Sequence, residues 1–280
     1  MSERSTIWNA RPSTPLRPAV SRHRRNIRAV WSYVEALTSC AEGAASDAIA
    51  WARQHTPWLT GPPPIPVAAL ADGSLIGFLA RPGGPAIGRS FTELVDESVD
   101  RLIVFSPYWD GLVALQDLRQ LLGAARTTVL LDVGTHDYPL LGDLSENIEI
   151  IDISSWQPRR FKHAKLIVAC TATYDHVVAC TATYDHVLTG SANCTLAALG
   201  GSGSDGINAE ACVYRRVSAG EAVAALDIDE LLAMPVVDES ALPLVLRTQP
   251  IALAVTHAVR PGRFEIEHLS LRWTPPDEVA

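Results

Sequence analysis

Three short segments of the chain carry side chains whose types and spacing could do chemistry on an anion. The first is His163-x-Lys165, which places an imidazole and an ammonium two residues apart. Alternation over residues 159–168 predicts a β-strand, so both side chains would project from one face. An imidazole can attack an electrophile or transfer a proton, and an ammonium can neutralise negative charge. Burying both unpaired would be costly, so the pair indicates a functional site rather than core packing.

The other two segments follow in order along the chain. Residues 188–200 predict a strand that runs through a tight Gly-Ser turn, with Ser191 and Asn193, into a helix. Residues 207–214 predict another strand by alternation, with Asn208 and Glu210 on one face. A carboxylate, an amide and a hydroxyl would therefore accompany the imidazole and the ammonium.

Together, His-x-Lys, Gly-Ser-x-Asn and Asn-x-Glu on successive predicted strands resemble the phospholipase D superfamily, the HKD phosphodiesterases. The segment Phe-Ser-Pro-Tyr-Trp at 105–109 resembles the first core strand of that family. The resemblance spans about residues 88–233. It implies a phospholipase D-like layered fold and hydrolysis of a phosphodiester.

The resemblance also implies a role for each motif residue. His163 would be either the nucleophile that forms a phosphohistidine or the acid that protonates the leaving alcohol, and water would resolve the intermediate. Lys165 and Asn193 would hold the non-bridging oxygens, and Ser191 would support them. Glu210 would hydrogen-bond the imidazole and fix its tautomer. No metal or other cofactor is implied, because the lysine and the asparagine supply what Mg²⁺ would.

Residues around the motifs are predicted to contact the substrate. Arginines beside the motif would create a positive field near a phosphodiester. Aromatic residues after the first core strand would either line the cleft or pack on top of the sheet. The predicted substrate-binding residues are Arg159, Arg160, Asn208, Tyr108 and Trp109. For His136 and Asp137 we expect a hydrogen-bonded loop rather than a substrate contact.

Two departures from the family pattern affect this hypothesis. Cys170 stands where the family has an aspartate five residues after the lysine, and Asp175 or Asp185 could replace it structurally. The chain has two lysines, Lys162 and Lys165, so it holds no second His-x-Lys, although family sites use two motifs. A second copy, a partner subunit or a missing C-terminal half would supply the other motif. We favour the homodimer, paired through an isologous interface.

A ten-residue tandem repeat follows the first motif. Residues 168–177, Val-Ala-Cys-Thr-Ala-Thr-Tyr-Asp-His-Val, recur unchanged as 178–187. Ten residues are too few for a solenoid unit, so slippage that lengthens a surface hairpin is the favoured interpretation. The copied cysteines, aspartates and histidines are ligand types, but a metal site is the weaker alternative because copying produces that cluster automatically.

Short apolar runs that alternate with helical periodicities predict an α/β domain. We expect a mostly parallel central sheet flanked by helices, preceded by a small helical N-terminal region with helices through about residue 40 and over 44–55. A capping box from Ser90 to Glu93 predicts the start of another helix. The predicted domains are a basic arm, helices and Pro-rich linker over 1–66, a catalytic domain over 67–235 and a C-terminal extension over 236–280.

Composition and charge narrow the possible functions. Hydrophobic residues make up 48% and charged residues 19%, as in globular proteins. The sequence contains no run of about 18 apolar residues, so it predicts no membrane span. The N-terminus lacks an apolar signal core, and five cysteines without Cys-x-x-Cys fit a reducing compartment, so we expect the cytoplasm.

The net charge of −8 excludes a uniformly basic nucleic-acid binder, but residues 1–35 hold seven arginines against two glutamates. A nuclease acting on DNA is therefore the leading hypothesis. One alternative is a phospholipase or phosphatidyltransferase with the same covalent chemistry on lipid head groups. Another is a catalytically inactive module that binds nucleic acid or assembles with other proteins.

Overall fold

The computed structural model describes most of the chain. It covers residues 22–40, 42–60, 67–80, 85–109, 111–133, 135–136, 147–156, 163–171, 183–201, 205–237, 263–267 and 270–274. The chain divides into two compact units, Met1–Leu244 and Val245–Ala280. The domain boundaries given above stay predictions.

The first unit contains helices that precede, flank and follow the strands of one sheet. The helices are α1 (Arg22–Leu37), α2 (Ala44–His55), α3 (Ile87–Thr92), α4 (Val113–Leu122), α5 (Leu196–Leu199), α6 (Glu221–Ala225) and α7 (Ile228–Leu232). The strands of this unit are β1 (Val67–Ala69), β2 (Leu75–Ala80), β3 (Val99–Phe105), β4 (Arg126–Leu131), β5 (Ile148–Asp152), β6 (Leu166–Thr171), β7 (Tyr184–Gly190), β8 (Ala211–Ser218) and β9 (Val236–Val237). In the second unit, β10 (Arg263–Glu267) pairs antiparallel with β11 (Ser270–Thr274).

Within the described ranges, nine strands form one sheet in the order β1-β2-β8-β7-β6-β3-β4-β5-β9. The β3–β4 and β4–β5 pairs are parallel. The other pairs are antiparallel. The α/β fold with a central sheet flanked by helices is confirmed, but the expectation of a mostly parallel sheet is wrong. A strand that is buried on both faces has an apolar sequence whether its neighbours are parallel or antiparallel. The hydrophobic pattern therefore does not predict the direction of the strands.

The antiparallel pairs bring four chain segments to one edge of the sheet. Strands β6 and β8 run opposite to β3 and β7, so their amino ends lie beside the carboxyl ends of β3 and β7. In the register, Leu166 pairs with both Phe105 and Thr189, and Gly190 pairs with Cys212. The segments after β3 and β7 and before β6 and β8 therefore meet at this edge.

Side chains of the central strands alternate between two apolar layers. On β3, Leu102 and Val104 pack into the layer formed with α3, α4 and α5. Ile103 and Phe105 point to the opposite layer, which includes residues of α6 and α7. This alternation of period two anchors the central strands from both faces, so their ends are held in fixed positions.

Three predicted boundaries differ from the structure. The capping box is wrong, because α3 begins at Ile87 with Ala86 as its N-cap and Ser90 lies inside the helix. Burial of Ala86 and Ile87, which are 3% and 0% exposed, fixes the first turn instead. Strand β6 begins at Leu166 and β8 at Ala211, so the polar residues of both motifs precede their strands.

The helices allow two sequence predictions to be compared with the structure, namely the helical N-terminal region and the lack of a membrane-spanning segment. The small helical N-terminal region is confirmed by α1 and α2, and α2 has the predicted bounds. No helix among the described residues combines the length and apolar character that a membrane span requires.

Candidate active site

His163 and Lys165 lie side by side just before β6. The Nζ atom of Lys165 lies 2.6 Å from Nε2 and 3.3 Å from Nδ1 of the His163 ring. The His163 side chain is exposed and Lys165 is half-buried. An ammonium can only donate, so the ring nitrogen that faces it must accept through its lone pair. The nitrogen closest to Lys165 is thus in the form that a nucleophilic imidazole uses.

The charge of Lys165 depends on its surroundings. Partial burial lowers the pKa of this ammonium below its usual value, and the negative charge of Glu210 acts in the opposite direction. The carboxylate before β8 thus supports the charged form of the lysine before β6.

The Gly-Ser turn after β7 is held against the start of β8. A Cβ on Gly190 would collide with the backbone oxygen of Ala211 and lie 2.6 Å from Cys212 Cα. Only glycine therefore allows the two backbones to approach this closely. The Ser191 N–H donates to the Ala211 carbonyl at 3.0 Å, and the Ala211 N–H donates to Ser191 Oγ at 2.9 Å. These bonds fix the backbone on which Asn193 follows.

Glu210 is buried, at 5% exposure, and binds two of the predicted site residues. The Ser191 hydroxyl donates to its Oε2, and the Asn208 amide donates to its Oε1 at 3.1 Å. Among the described residues, these two side chains, rather than the His163 ring, donate to the carboxylate. Glu210 therefore links the Gly-Ser turn to Asn208, whereas the resemblance implied a bond to the imidazole.

Asn193 is half-buried in the turn between β7 and α5. Within the described part of the chain, no donor reaches its buried Oδ1 atom. A 180° rotation of the terminal amide would place its NH₂ group at the same spot, so this side chain can offer a donor or an acceptor. Unsatisfied buried polar atoms are rare, and catalytic sites are one of the places where they occur.

Tyr108 and Trp109 divide between the two predicted alternatives. The Tyr108 ring is 43% exposed and meets the His163 ring edge-on, with centroids 5.7 Å apart. Trp109 is 2% exposed, and its Nε1–H donates to the Ser106 carbonyl at 2.9 Å. Tyr108 is therefore at the site, and Trp109 packs on top of the sheet.

Other predicted residues lie apart from this cluster or beyond the description. Arg159, Arg160, Asp137 and Asp175 lie outside the described residues. His136 is buried, and its Nδ1 accepts the Asp132 N–H at 3.1 Å, as expected of a hydrogen-bonded loop.

Asp185 lies opposite Cys170 in the β6–β7 register. Burial raises the pKa of Asp185, and its carboxylate accepts the Ala222 N–H at 3.1 Å. Burial beside this carboxylate also raises the pKa of the Cys170 thiol to about 12. A buried aspartate is thus placed across the strand pair from the position where the family has its own.

Ser106 follows β3 at the same edge and was not predicted as a site residue from the sequence. Its hydroxyl accepts the Cys194 N–H at 3.0 Å, next to Asn193. The available signal was a small polar residue directly after a buried strand, at the edge where the motifs were expected.

The cluster has the parts that transfer of a phosphoryl group requires. The His163 imidazole offers a lone pair, the Lys165 ammonium offers positive charge, and the Asn193 amide offers hydrogen bonds. The buried Glu210 carboxylate holds the Gly-Ser turn. The residues that the structure brings to one edge are Tyr108, His163, Lys165, Ser191, Asn193, Asn208 and Glu210.

Comparisons with known proteins return solved structures. No protein-family model and no curated protein sequence matches the chain. Nuc from Salmonella typhimurium, described as a phospholipase D family member, is 15% identical with a TM-score of 0.33, over 57% of this chain and 92% of that one. NucT from Helicobacter pylori is 11% identical with a TM-score of 0.36, over 58% and 98%. Yeast tyrosyl-DNA phosphodiesterase is 14% identical with a TM-score of 0.30, over 49% and 32%.

Each of these identities is below 25% and each TM-score below 0.5, so the likenesses say nothing about substrate or residue roles. They are similarities of backbone arrangement. One of these solved structures, Nuc, is described as a member of the phospholipase D family, which is the family that the sequence motifs resemble.

Proposed function

We propose that this protein hydrolyses phosphodiester bonds through a phosphohistidine on His163, and that its substrate is DNA. The observation that carries the proposal is the contact between Lys165 Nζ and the His163 ring at 2.6 Å, at the edge that also holds the Gly-Ser turn. A nucleophile beside a cation suits attack on an anionic phosphorus centre.

The reaction has two steps. The Lys165 ammonium moves from Nε2 of His163 to a non-bridging oxygen, which frees the lone pair of Nε2. Nε2 attacks phosphorus, a P–N bond forms, and the P–O bond to the leaving group breaks while a second imidazole protonates that oxygen. Water then attacks phosphorus and gives its proton to the second imidazole, the P–N bond breaks, and His163 is regenerated. Lys165 and Asn193 hold the non-bridging oxygens in both steps, so the transition-state charge is neutralised by side chains.

The second imidazole comes from a second copy of the chain in this proposal. The sequence holds one His-x-Lys, and each protomer of a two-fold dimer would place its own His163 opposite that of its partner. One ring would attack and the other would protonate.

Two features favour DNA over a lipid head group. The exposed Tyr108 ring beside His163 offers a face on which a base can stack. Arg159 and Arg160 precede the motif in the sequence and would contribute positive charge for flanking phosphates.

The test is cleavage of plasmid and single-stranded DNA in EDTA by wild type, His163→Ala and His55→Ala. His55 is an exposed histidine on α2 and provides the matched loss of an imidazole. We expect wild type and His55→Ala to cleave equally and His163→Ala to lose at least about 1000-fold, as for loss of a nucleophile.

Three outcomes contradict the proposal. The first is that the wild-type protein cleaves no DNA at any pH, which would exclude a nuclease. Release of choline or ethanolamine from vesicles would identify the lipid alternative instead. Salt-dependent DNA binding without turnover would identify an inactive binding module.

A further inference from the structure

The hydroxyl of Ser106 connects two parts of the site that are far apart in sequence. Ser106 is 2% exposed and follows β3 directly. Its Oγ accepts the Cys194 N–H at 3.0 Å and donates its single proton to the Tyr108 carbonyl at 2.9 Å. The hydroxyl thus joins the residue after Asn193 to the residue whose ring packs against His163.

Trp109 adds a second connection between the same two segments. Its buried Nε1–H donates to the Ser106 carbonyl at 2.9 Å, and its backbone forms a parallel bridge with Cys194. The segment 106–109 is therefore folded onto the Gly-Ser turn by side-chain and backbone bonds. Because these groups are buried, water cannot easily replace the bonds between them.

We propose that Ser106 is a positioning residue that fixes the Asn193 amide in the turn after β7 and the Tyr108 ring beside His163. The part of this inference that concerns rate rests on the proposed function. Ser106 itself does not touch the reacting atoms. It acts through the backbone of Cys194, which follows Asn193, and through the backbone of Tyr108, whose ring packs against His163.

The expected effect follows from the geometry of catalysis. An amide that binds a non-bridging oxygen only in the transition state raises kcat, so its displacement lowers kcat with little change in KM. A displacement of about 1 Å costs about 100-fold in rate. Loss of the Ser106 hydroxyl also leaves the Cys194 N–H without this acceptor, so that amide should exchange its hydrogen faster.

The experiment compares Ser106→Ala, Ser106→Thr and Ser74→Ala. Threonine retains the hydroxyl and is the conservative rescue. Ser74 is a matched control, because it is also a buried serine whose hydroxyl donates to a neighbouring residue, Asp72, at 2.6 Å. It lies far from the site, since the next residue, Leu75, pairs with the far end of β8. Melting temperature, Cys194 amide exchange and kcat and KM on bis(p-nitrophenyl) phosphate are measured for each variant.

We expect Ser106→Ala to exchange the Cys194 amide at least about 10-fold faster and to lose about 10- to 100-fold in kcat, with KM within about twofold. Ser106→Thr should retain the wild-type Cys194 exchange rate and kcat, and Ser74→Ala should also match wild type in these two quantities. Unchanged Cys194 exchange in Ser106→Ala overturns the inference. Faster exchange with wild-type kcat, or a loss confined to KM, also overturns it.

Failure of the proposed function gives a different result. If wild type cleaves no phosphodiester, the side-chain amide signal of Asn193 in NMR replaces the rate as the readout. A shift of that signal in Ser106→Ala, but not in Ser74→Ala or Ser106→Thr, supports the positioning role. An unchanged signal overturns it.

Discussion

At the scale of single residues, the site depends on a lysine whose charge is opposed by burial and supported by a carboxylate. Partial burial lowers the pKa of Lys165, and the charge of Glu210 raises it. Glu210 also accepts hydrogen bonds from Ser191 and Asn208. One buried carboxylate therefore both shapes the turn and keeps the neighbouring ammonium charged.

Replacing Glu210 by glutamine should lower the pKa of Lys165 further, because the opposing negative charge is lost. The chain has two lysines, so ¹³Cε-lysine labelling gives two NMR signals, and Lys162→Arg assigns them. We expect the Lys165 signal to titrate at lower pH in Glu210→Gln. Glu149→Gln is the control, because Glu149 pairs with Arg101 instead. An unmoved Lys165 titration contradicts the coupling.

A second titrating residue is buried away from the site. His186 is 0% exposed, its Nδ1 lies 2.9 Å from the Tyr214 hydroxyl, and its Nε2 lies 2.9 Å from Glu97 without hydrogen-bond geometry. Burial first, and then the charge of Arg216, lower the pKa of His186 to about 4, against a smaller opposite effect of Asp96. The ring is thus neutral in the folded protein at pH 7.

This residue should make stability fall in acid. The unfolded chain takes up the proton near the ordinary pKa of 6.5, and the folded protein takes it up near 4. The stability that the neutral ring provides is therefore present above pH 6.5 and is lost as pH falls toward 4. Urea unfolding between pH 4 and 7 should show a slope of up to about 1.4 kcal/mol per pH unit from this group.

His186→Gln should flatten that slope, because glutamine does not titrate. Glu97, Asp96 and Asp185 remain in both proteins, so the difference between the two curves reports the histidine together with its effect on Asp96, whose pKa the charge of His186 lowers. Identical slopes would show that the ring does not gain a proton on unfolding.

At the scale of elements, the β6–β7 hairpin is built from parts of both copies of the repeat. Strand β6 uses Val168–Thr171 of the first copy, and β7 uses Tyr184–Val187 of the second. Residues 172–182 between them lie outside the described residues. Gly190 explains why the second copy forms β7. It lies three residues after the second copy, whereas Cys180 lies three residues after the first copy, and a Cβ at this place would collide with Ala211.

Deleting residues 172–181 should leave the fold and the site unchanged. The deletion restores one copy of the repeat, retains every described pair of β6 and β7, and leaves four residues between Cys170 and Asp185 instead of 14. Four-residue hairpin loops are common. The shorter loop should stabilise the protein by about 1 kcal/mol.

Thermal unfolding and DNA cleavage of the deletion variant check this prediction. We expect a melting temperature equal to or above that of wild type and a cleavage rate within about threefold. A variant that unfolds or loses activity would show that the additional ten residues contribute to the structure.

At the scale of the whole molecule, the charge is distributed unevenly. Residues 1–35 carry a net +5, which leaves −13 for the rest of the chain. An acidic body repels nucleic acid, so binding of DNA would depend on local arginines and on the site itself. A site shared by two copies would double those local contacts.

If two copies form one site, activity should depend on protein concentration. We expect a mass in solution of about twice 30.2 kDa, and a specific activity that falls as the dimer is diluted below its dissociation constant. Light scattering after size exclusion and a dilution series of the cleavage assay check this. A monomer whose specific activity is constant on dilution contradicts the shared site.

The sequence by itself determined which residue types carry the chemistry and their order along the chain. His163 and Lys165, Ser191 and Asn193, and Asn208 and Glu210 were all found from local spacing. Most strands were found too, because burial imposes a periodicity that short windows reveal. The strands at His-x-Lys and Asn-x-Glu were predicted to start too early, since the alternation of side chains begins before the first backbone pair, and the strand before the Gly-Ser turn was predicted to start too late.

Tertiary structure alone decided how these segments meet. Strand direction, the bonds from Ser191 and Asn208 to Glu210, and the connection from Ser106 to Cys194 join residues distant in sequence. An apolar run has the same pattern whether its neighbour is parallel or antiparallel, because the pattern records burial and not the choice of partner. The antiparallel pairing places the start of β6 beside the end of β7, and it thereby brings the imidazole to the same edge as the Gly-Ser turn.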